Sequence, residues 1–84
     1  MHNVLIPHGK ISSAKTLGEL VKLKRKQDQL TQTELAALSG VGIRFVSDLE
    51  NGKPTLEIQK ILQVLGALGL ECHLMPKQIE GDLF

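Results

Sequence analysis

Tryptophan and tyrosine are absent from this 84-residue chain, phenylalanine occurs twice and cysteine once. With so few rings a core has to be built from Leu, Ile, Val and Ala, which suits a compact helical unit. A lone Cys72 cannot close an internal disulfide. Neither a signal-like segment nor a long apolar run is evident, so a soluble, cytoplasmic protein outside any membrane is expected. Charge of one sign is scarce too, with a formal net charge of +1. Catalytic patterns are also missing: there is no carboxylate pair, no nucleophile elbow and no phosphate-cradling glycine loop. Ser12, Ser13, Ser39 and Ser47 have no His at a motif spacing. An enzyme is therefore not expected, and no cofactor is implied. His2, His8, Cys72 and His73 are zinc donors by type, yet adjacent Cys72 and His73 would point to opposite faces of a strand and no second ligand pair exists, so no metal site is expected.

What is present is unevenly placed. Residues 1–53 carry eight Lys or Arg against five Asp or Glu, whereas residues 54–84 carry two against four. Most of the excess lies in Lys22, Lys24, Arg25 and Lys26, a run that by itself reads as the solvated face of a helix. A chain this short forms one small domain with a limited core, so association with a second copy is a plausible source of stability.

Periodicity divides the chain into helices. Thr16 and Glu19 predict a capping box opening a helix over 16–27, with Leu17, Leu20, Val21 and the stem of Lys24 on one face. Thr31 and Glu34 repeat the signature for residues 31–39, where Leu35, Ala36 and Leu38 supply the apolar side and Gly40 is the stop. A third helix follows, anchored by Val46 and Leu49 and closed by Asn51 and Gly52. A fourth is predicted from about Thr55 to Leu68, with Ile58, Ile61, Leu62 and Leu65 on one face. Leu56, Val64 and Leu68 widen its apolar stripe beyond what three short helices would cover, which places Val64 and Leu68 at a subunit interface. Leu70, Cys72 and Leu74 then alternate with polar neighbours up to Pro76, a strand pattern. Such a strand needs an edge, either the run Val4, Leu5, Ile6 or the same strand of a second chain. The division expected is a 1–15 arm with a possible short strand, a 16–69 helical domain, a 70–76 dimerisation strand and a flexible 77–84 tail.

Two short helices joined at residues 39–42 meet the spacing of a helix-turn-helix, whose second helix enters the DNA major groove. Ala36 is small where the helices must cross, Gly40 sits in the turn, Val46 and Leu49 anchor the second helix, and Gln32 opens the first. The stretch LTQTELAALSGVGIRFVSDLENGKPT resembles the Xre/Cro helix-turn-helix regulators over about residues 16–69. With VLGALGLE after it, the GIRF and ENGKPT wording is most similar to the HipB-type antitoxins. The resemblance implies an all-α, lambda-repressor-like bundle of four to five helices with one C-terminal strand pairing in a homodimer. It further implies a repressor of its own operon, with double-stranded operator DNA and a HipA-type serine/threonine kinase toxin as partners.

Carried onto this chain, the resemblance makes Ile43, Arg44, Ser47 and Asp48 base-reading positions. Arg44 suits guanine O6 and N7 and Ile43 a thymine methyl, each contact giving about 1–3 kcal/mol of discrimination. Gln32 matches a residue that bonds a DNA phosphate while buttressing the recognition helix, and Asn51, Lys53 and the first amides of the fourth helix match phosphate contacts. Arg25 and Glu50 match a structural ion pair. Three positions depart from the family pattern. Gln29 stands where Gly is common, and Gly42 replaces a Ser or Thr cap. Phe45 replaces a small polar residue, and it either packs between helices or lies against the sugar-phosphate wall of the DNA. Two further readings stay open: a stand-alone repressor without a toxin, and an interaction module that has lost DNA binding, as the low net charge and Asp48 would permit.

Overall fold

The computed structural model describes residues 9–77. The run Val4 to Ile6, His2, His8 and the tail residues from Gln78 onward therefore lie outside the described residues. Four helices follow in order: α1 (Ala14–Gln27), α2 (Gln32–Ser39), α3 (Ile43–Glu50) and α4 (Ile58–Ala67). α3 packs on both α1 and α2, and α2 also packs on α4. The core where they meet contains Val21, Leu35, Ala36, Val46, Leu49, Val64, Leu65 and Leu68. Leu17, Leu30, Val41, Phe45, Leu56, Ile61 and Leu70 pack against it, half-buried. This is the all-α helix-turn-helix bundle expected.

Several boundaries and faces differ from the sequence reading. α1 begins one turn earlier than the Thr16 box. Ser13 is the N-cap, its hydroxyl accepting from Thr16 N at 3.1 Å, and Thr16 Oγ1 accepts in return from Ser13 N at 3.2 Å. That earlier box adds Ala14 and Lys15 to the helix expected over 16–27, its reciprocal bonds satisfying the Ser13 and Thr16 amides. α2 opens as expected, with Thr31 and Glu34 in a reciprocal box. Leu38, however, is exposed. The inner side of α2 is formed by Leu35, Ala36 and Ser39, with Ser39 Oγ donating to Leu35 O at 2.6 Å and Gln63 of α4 donating to Ser39 O at 2.9 Å. α4 starts only at Ile58, because residues 53–57 are taken up by the close of α3 and a turn at Pro54 and Thr55.

The largest correction concerns the two faces of α4. Val64 and Leu68, expected at a subunit interface, are buried within the chain's own core. The core-facing stripe is Ile61, Val64, Leu65 and Leu68, and the surplus apolar residues are Ile58, 65% exposed, and Leu62, 42% exposed. The stripe expected from sequence, Ile58, Ile61, Leu62 and Leu65, and the observed one both obey the i, i+3, i+4, i+7 rule, so only the docking of α4 on α2 selects between them. The 70–76 segment has no strand ladder; among the described residues none is in a strand. An isolated strand has unpaired donors and acceptors and forms only against an edge, which the described part of one chain does not supply.

All four helices end in one kind of turn, in which an N–H reaches back to the carbonyl five residues earlier: Leu30 to Arg25, Val41 to Ala36, Lys53 to Asp48 and Leu70 to Leu65. This closure requires a residue with positive φ, supplied by Gly40, Gly52 and Gly69 in three helices and by Gln29 (φ 62°) after α1. A side chain in that region is disfavoured by about 1–2 kcal/mol. Replacement of Gln29 by Gly is expected to raise stability by about 0.5–1 kcal/mol, after the extra chain entropy of Gly in the unfolded state is subtracted. Urea titration of the two proteins checks this, and a loss of stability would contradict it.

Candidate nucleic-acid interface

The site is built from the foundation of α3 outward. Glu50 closes the helix and lies buried beside Arg25 of α1, with Arg25 Nε donating to Glu50 Oε2 at 2.6 Å and the Nη2 group to Oε1 at 3.0 Å. A third guanidinium bond, Nη1 to Leu30 O at 2.7 Å, reaches the turn before α2. Gln32 Nε2 then donates to Glu50 Oε1 at 3.1 Å. One carboxylate thus ties α1, α2 and the end of α3 together. The hydrogen bond from Arg25 to Glu50 raises the Arg25 pKa above its ordinary value, opposed by burial and aided by the Glu50 charge. Gln32, matched to a phosphate contact, is half-buried and uses its amide inside the protein to brace α3.

Gly18 was not singled out by sequence pattern, yet α1 and α3 cross there. A Cβ built on it would run into the backbone carbonyl of Leu49 and reach within 2.9 Å of Glu50 O. The only hint in the sequence is a glycine between Leu17 and Val21 on the inner face. Gly52, after α3, combines φ 81° with a 3.0 Å approach of its would-be Cβ to Lys15 Cα, so only glycine fits that corner.

From this base α3 presents its outer side. Val46 and Leu49 face inward, while Ile43 and Arg44 stand exposed on the first turn, Ile43 at 50%. Ser47 and Asp48 follow half-buried, and Asn51 and Lys53 are exposed beyond the helix end. Gly42 is the N-cap without a side-chain cap bond, and its carbonyl accepts from Phe45 N and Val46 N. Of the two places open to Phe45, the structure selects packing: its ring lies against the core and Lys60 Nζ of α4 stands 6.0 Å from the ring centroid. Packing part of an aromatic ring against the core carries a large apolar term, which accounts for this placement.

Charge is redistributed relative to the linear reading. Within the basic run Arg25 is buried and Lys24 is held by Asp28 at 2.7 Å, leaving Lys22 and Lys26 exposed. Asp48 lies between Arg44 Nε at 3.5 Å and Lys53 Nζ at 3.7 Å, so its charge is offset on the outward surface. Arg44 and Lys53 are well exposed, and such solvent-screened pairs contribute about 0–1 kcal/mol each, weak enough for a ligand to displace. The start of α4 carries Glu57, 3.7 Å from Lys60, a carboxylate that opposes a phosphate at those amides.

Residues 21–73 match the Helix-turn-helix family profile. The chain belongs to the helix-turn-helix family. Among relatives, an HTH-type transcriptional regulator, y4mF, of Sinorhizobium fredii is 47% identical over 66 residues, covering 79% of this chain and 87% of the relative. The ImmF control region 10 kDa protein of Bacillus phage phi105 is 33% identical over 61 residues, 73% of this chain and 68% of that protein. Among solved structures, the HipB–O4 20mer complex superposes with a TM-score of 0.78 at 30% identity, covering 84% of this chain and all of the other. A chain of the HipA–HipB–O2–O3 complex gives 0.77 at the same identity and coverage. This helix-turn-helix protein is thus a DNA-binding transcriptional regulator with a structure similar to that of HipB antitoxins. The family is one of regulators rather than an enzyme class. Among the described residues no helix is long and apolar enough to cross a membrane.

Proposed function

We propose that the chain is the antitoxin of a HipA-type serine/threonine kinase toxin and, as a cytoplasmic homodimer, represses its own operon by binding operator DNA. The observation that carries this reading is the exposed tip Ile43 and Arg44 held on a buried Arg25–Glu50–Gln32 brace, in a fold similar to the whole of a HipB chain. A rigid base under an exposed apolar and cationic pair is what sequence reading in the major groove requires. Ser47 and Asp48 border that pair, and Asn51 and Lys53 supply the phosphate contacts, with Gln32 bracing from within.

Dimerisation sets two α3 helices about one DNA turn apart. A broad apolar groove between α1 and α4 is lined by Leu17, Leu20, Ile58, Leu62, Leu74 and Met75. Leu74 is 95% exposed and Cys72 is exposed as well. Residues 70–76 find an edge in the same segment of a second copy. Cys72 and Leu74 then meet their counterparts beside Ile58 and Leu62, and Leu70 joins that contact to the core.

A second reading, a stand-alone regulator without a toxin, is favoured by the 47% identity to y4mF, which is described only as a regulator. Purification of the native complex, with mass spectrometry of bound protein and sequencing of bound DNA, separates the two. A co-purifying kinase supports the antitoxin; operator DNA without one supports the regulator. On operator DNA, Arg44→Ala is expected to cost about 1–3 kcal/mol and to flatten discrimination at one base pair. Lys53→Ala should instead weaken all sequences alike and reduce the salt slope by about 1. Fluorescence anisotropy at several salt concentrations reads both, and equal effects of the two substitutions on every duplex would contradict the assignment.

A further inference from the structure

The recognition helix carries its own counter-charge. Asp48 shares one carboxylate between Arg44 and Lys53, through Oδ1 to Nε at 3.5 Å and Oδ2 to Nζ at 3.7 Å. The half-buried Asp48 side chain is 24% exposed, whereas that of Arg44 is 87% exposed. The anion is therefore the anchored partner and the two cations are the movable ones. The contact is made through Nε, and with the Arg44 side chain 87% exposed its two terminal amino groups remain available as donors of the kind a base edge accepts.

We propose that Asp48 is a positioning residue that determines specificity: it is the counter-ion that restrains Arg44 and Lys53 on non-cognate DNA while holding Arg44 in a posture to read guanine. This rests on α3 being the DNA-reading helix, and it gives Asp48 a role other than reading a base itself. A misplaced phosphate must compete with Asp48 for each cation, and the exchange of one anion for another gains little. Guanine O6 and N7 make no such demand, because Arg44 keeps its Nε on Asp48 and offers its free amino groups to the base. The carboxylate therefore weakens binding to any duplex that lacks a correctly placed guanine more than binding to one that has it.

The test uses the full-length protein and its Asp48→Asn variant, which keeps the shape and removes the charge. The probes are a duplex of about 20 bp selected from a random library by the unaltered protein and a scrambled duplex of the same composition. In anisotropy titrations between about 50 and 200 mM salt, Asp48→Asn is expected to bind the scrambled duplex about tenfold more tightly with a salt slope steeper by about 1. Affinity for the selected duplex should change by less than about threefold, so that the specificity ratio falls. In an Arg44→Ala background the effect of Asp48→Asn on that ratio should largely disappear. Equal changes on both duplexes at an unaltered salt slope would overturn the proposal in favour of a purely structural carboxylate. A loss confined to the selected duplex and traced to one base pair would overturn it in favour of direct reading by Asp48. Failure of the unaltered protein to select any sequence would remove the DNA-reading function itself, and the proposal with it.

Discussion

Glu50→Ala is expected to lower stability by about 3–5 kcal/mol, because it leaves the buried Arg25 guanidinium without its counter-charge. A domain of this length has about 4–13 kcal/mol in total, so the loss removes a large part of the folded population. Only the Nη1 bond to Leu30 O would remain to Arg25, and the amide of Gln32 would lose its acceptor. The melting temperature should fall by more than about 12 °C. Replacing both members, Arg25→Met with Glu50→Leu, should recover most of that loss, since a packed apolar pair avoids the desolvation of two ions. It should not recover DNA affinity fully, because the apolar pair has no acceptor for Gln32 and α3 is then braced from one side fewer. Calorimetry of the single and double variants tests the first claim, and a single variant within about 1 kcal/mol of the parent would show the brace to be worth no more than a surface pair.

Gly18→Ala is the second large expected effect. The added methyl meets the Leu49 carbonyl, and the obstacle is backbone that no rotamer change can move. Relief requires the end of α3 to shift off α1, which strains the Arg25–Glu50 bonds and the Gly52 corner against Lys15. A cost of about 3 kcal/mol, at the upper end for inserted volume, is expected, with a loss of DNA affinity in the fraction that remains folded because the reading helix is displaced. Gly66→Ala is the control: nothing lies within 4 Å of its would-be Cβ in α4, so the better helix former should stabilise by about 0.5–1 kcal/mol. Chemical denaturation of both proteins reads the contrast. A neutral Gly18→Ala would mean that the two helices do not cross as closely as the structure places them.

Local rules decided a good deal of this molecule before any folding was considered. The Thr31–Glu34 box, the stop at Gly40, the anchors Val46 and Leu49, and the exposed Ile43 and Arg44 depend on neighbours within one or two turns, so they were legible in the linear order. The position of Gln29 stood out only through the resemblance, as a Gln where Gly is common, and its φ of 62° accounts for that preference. The Arg25–Glu50 pair spans 25 positions and no local pattern shows it; it entered only through resemblance to a family.

Tertiary structure decided what competed equally in sequence. α4 offers two apolar stripes of identical periodicity, and its docking on α2 buried Val64 and Leu68 while leaving Ile58 and Leu62 outside. Phe45 had two places to go and the core took it. Gly18, Ser39 and Gln63 acquired their roles only when a second helix came within reach, since a close crossing or a bond to a distant carbonyl leaves no periodic trace. Asp48 looked like a liability on the outward side of α3, although its pairing with Arg44 is a local i, i+4 contact and that with Lys53 comes from the turn that follows. Periodicity specifies which residues share a face, but which face is buried depends on the area gained against the rest of the chain, and that is settled only when the helices meet.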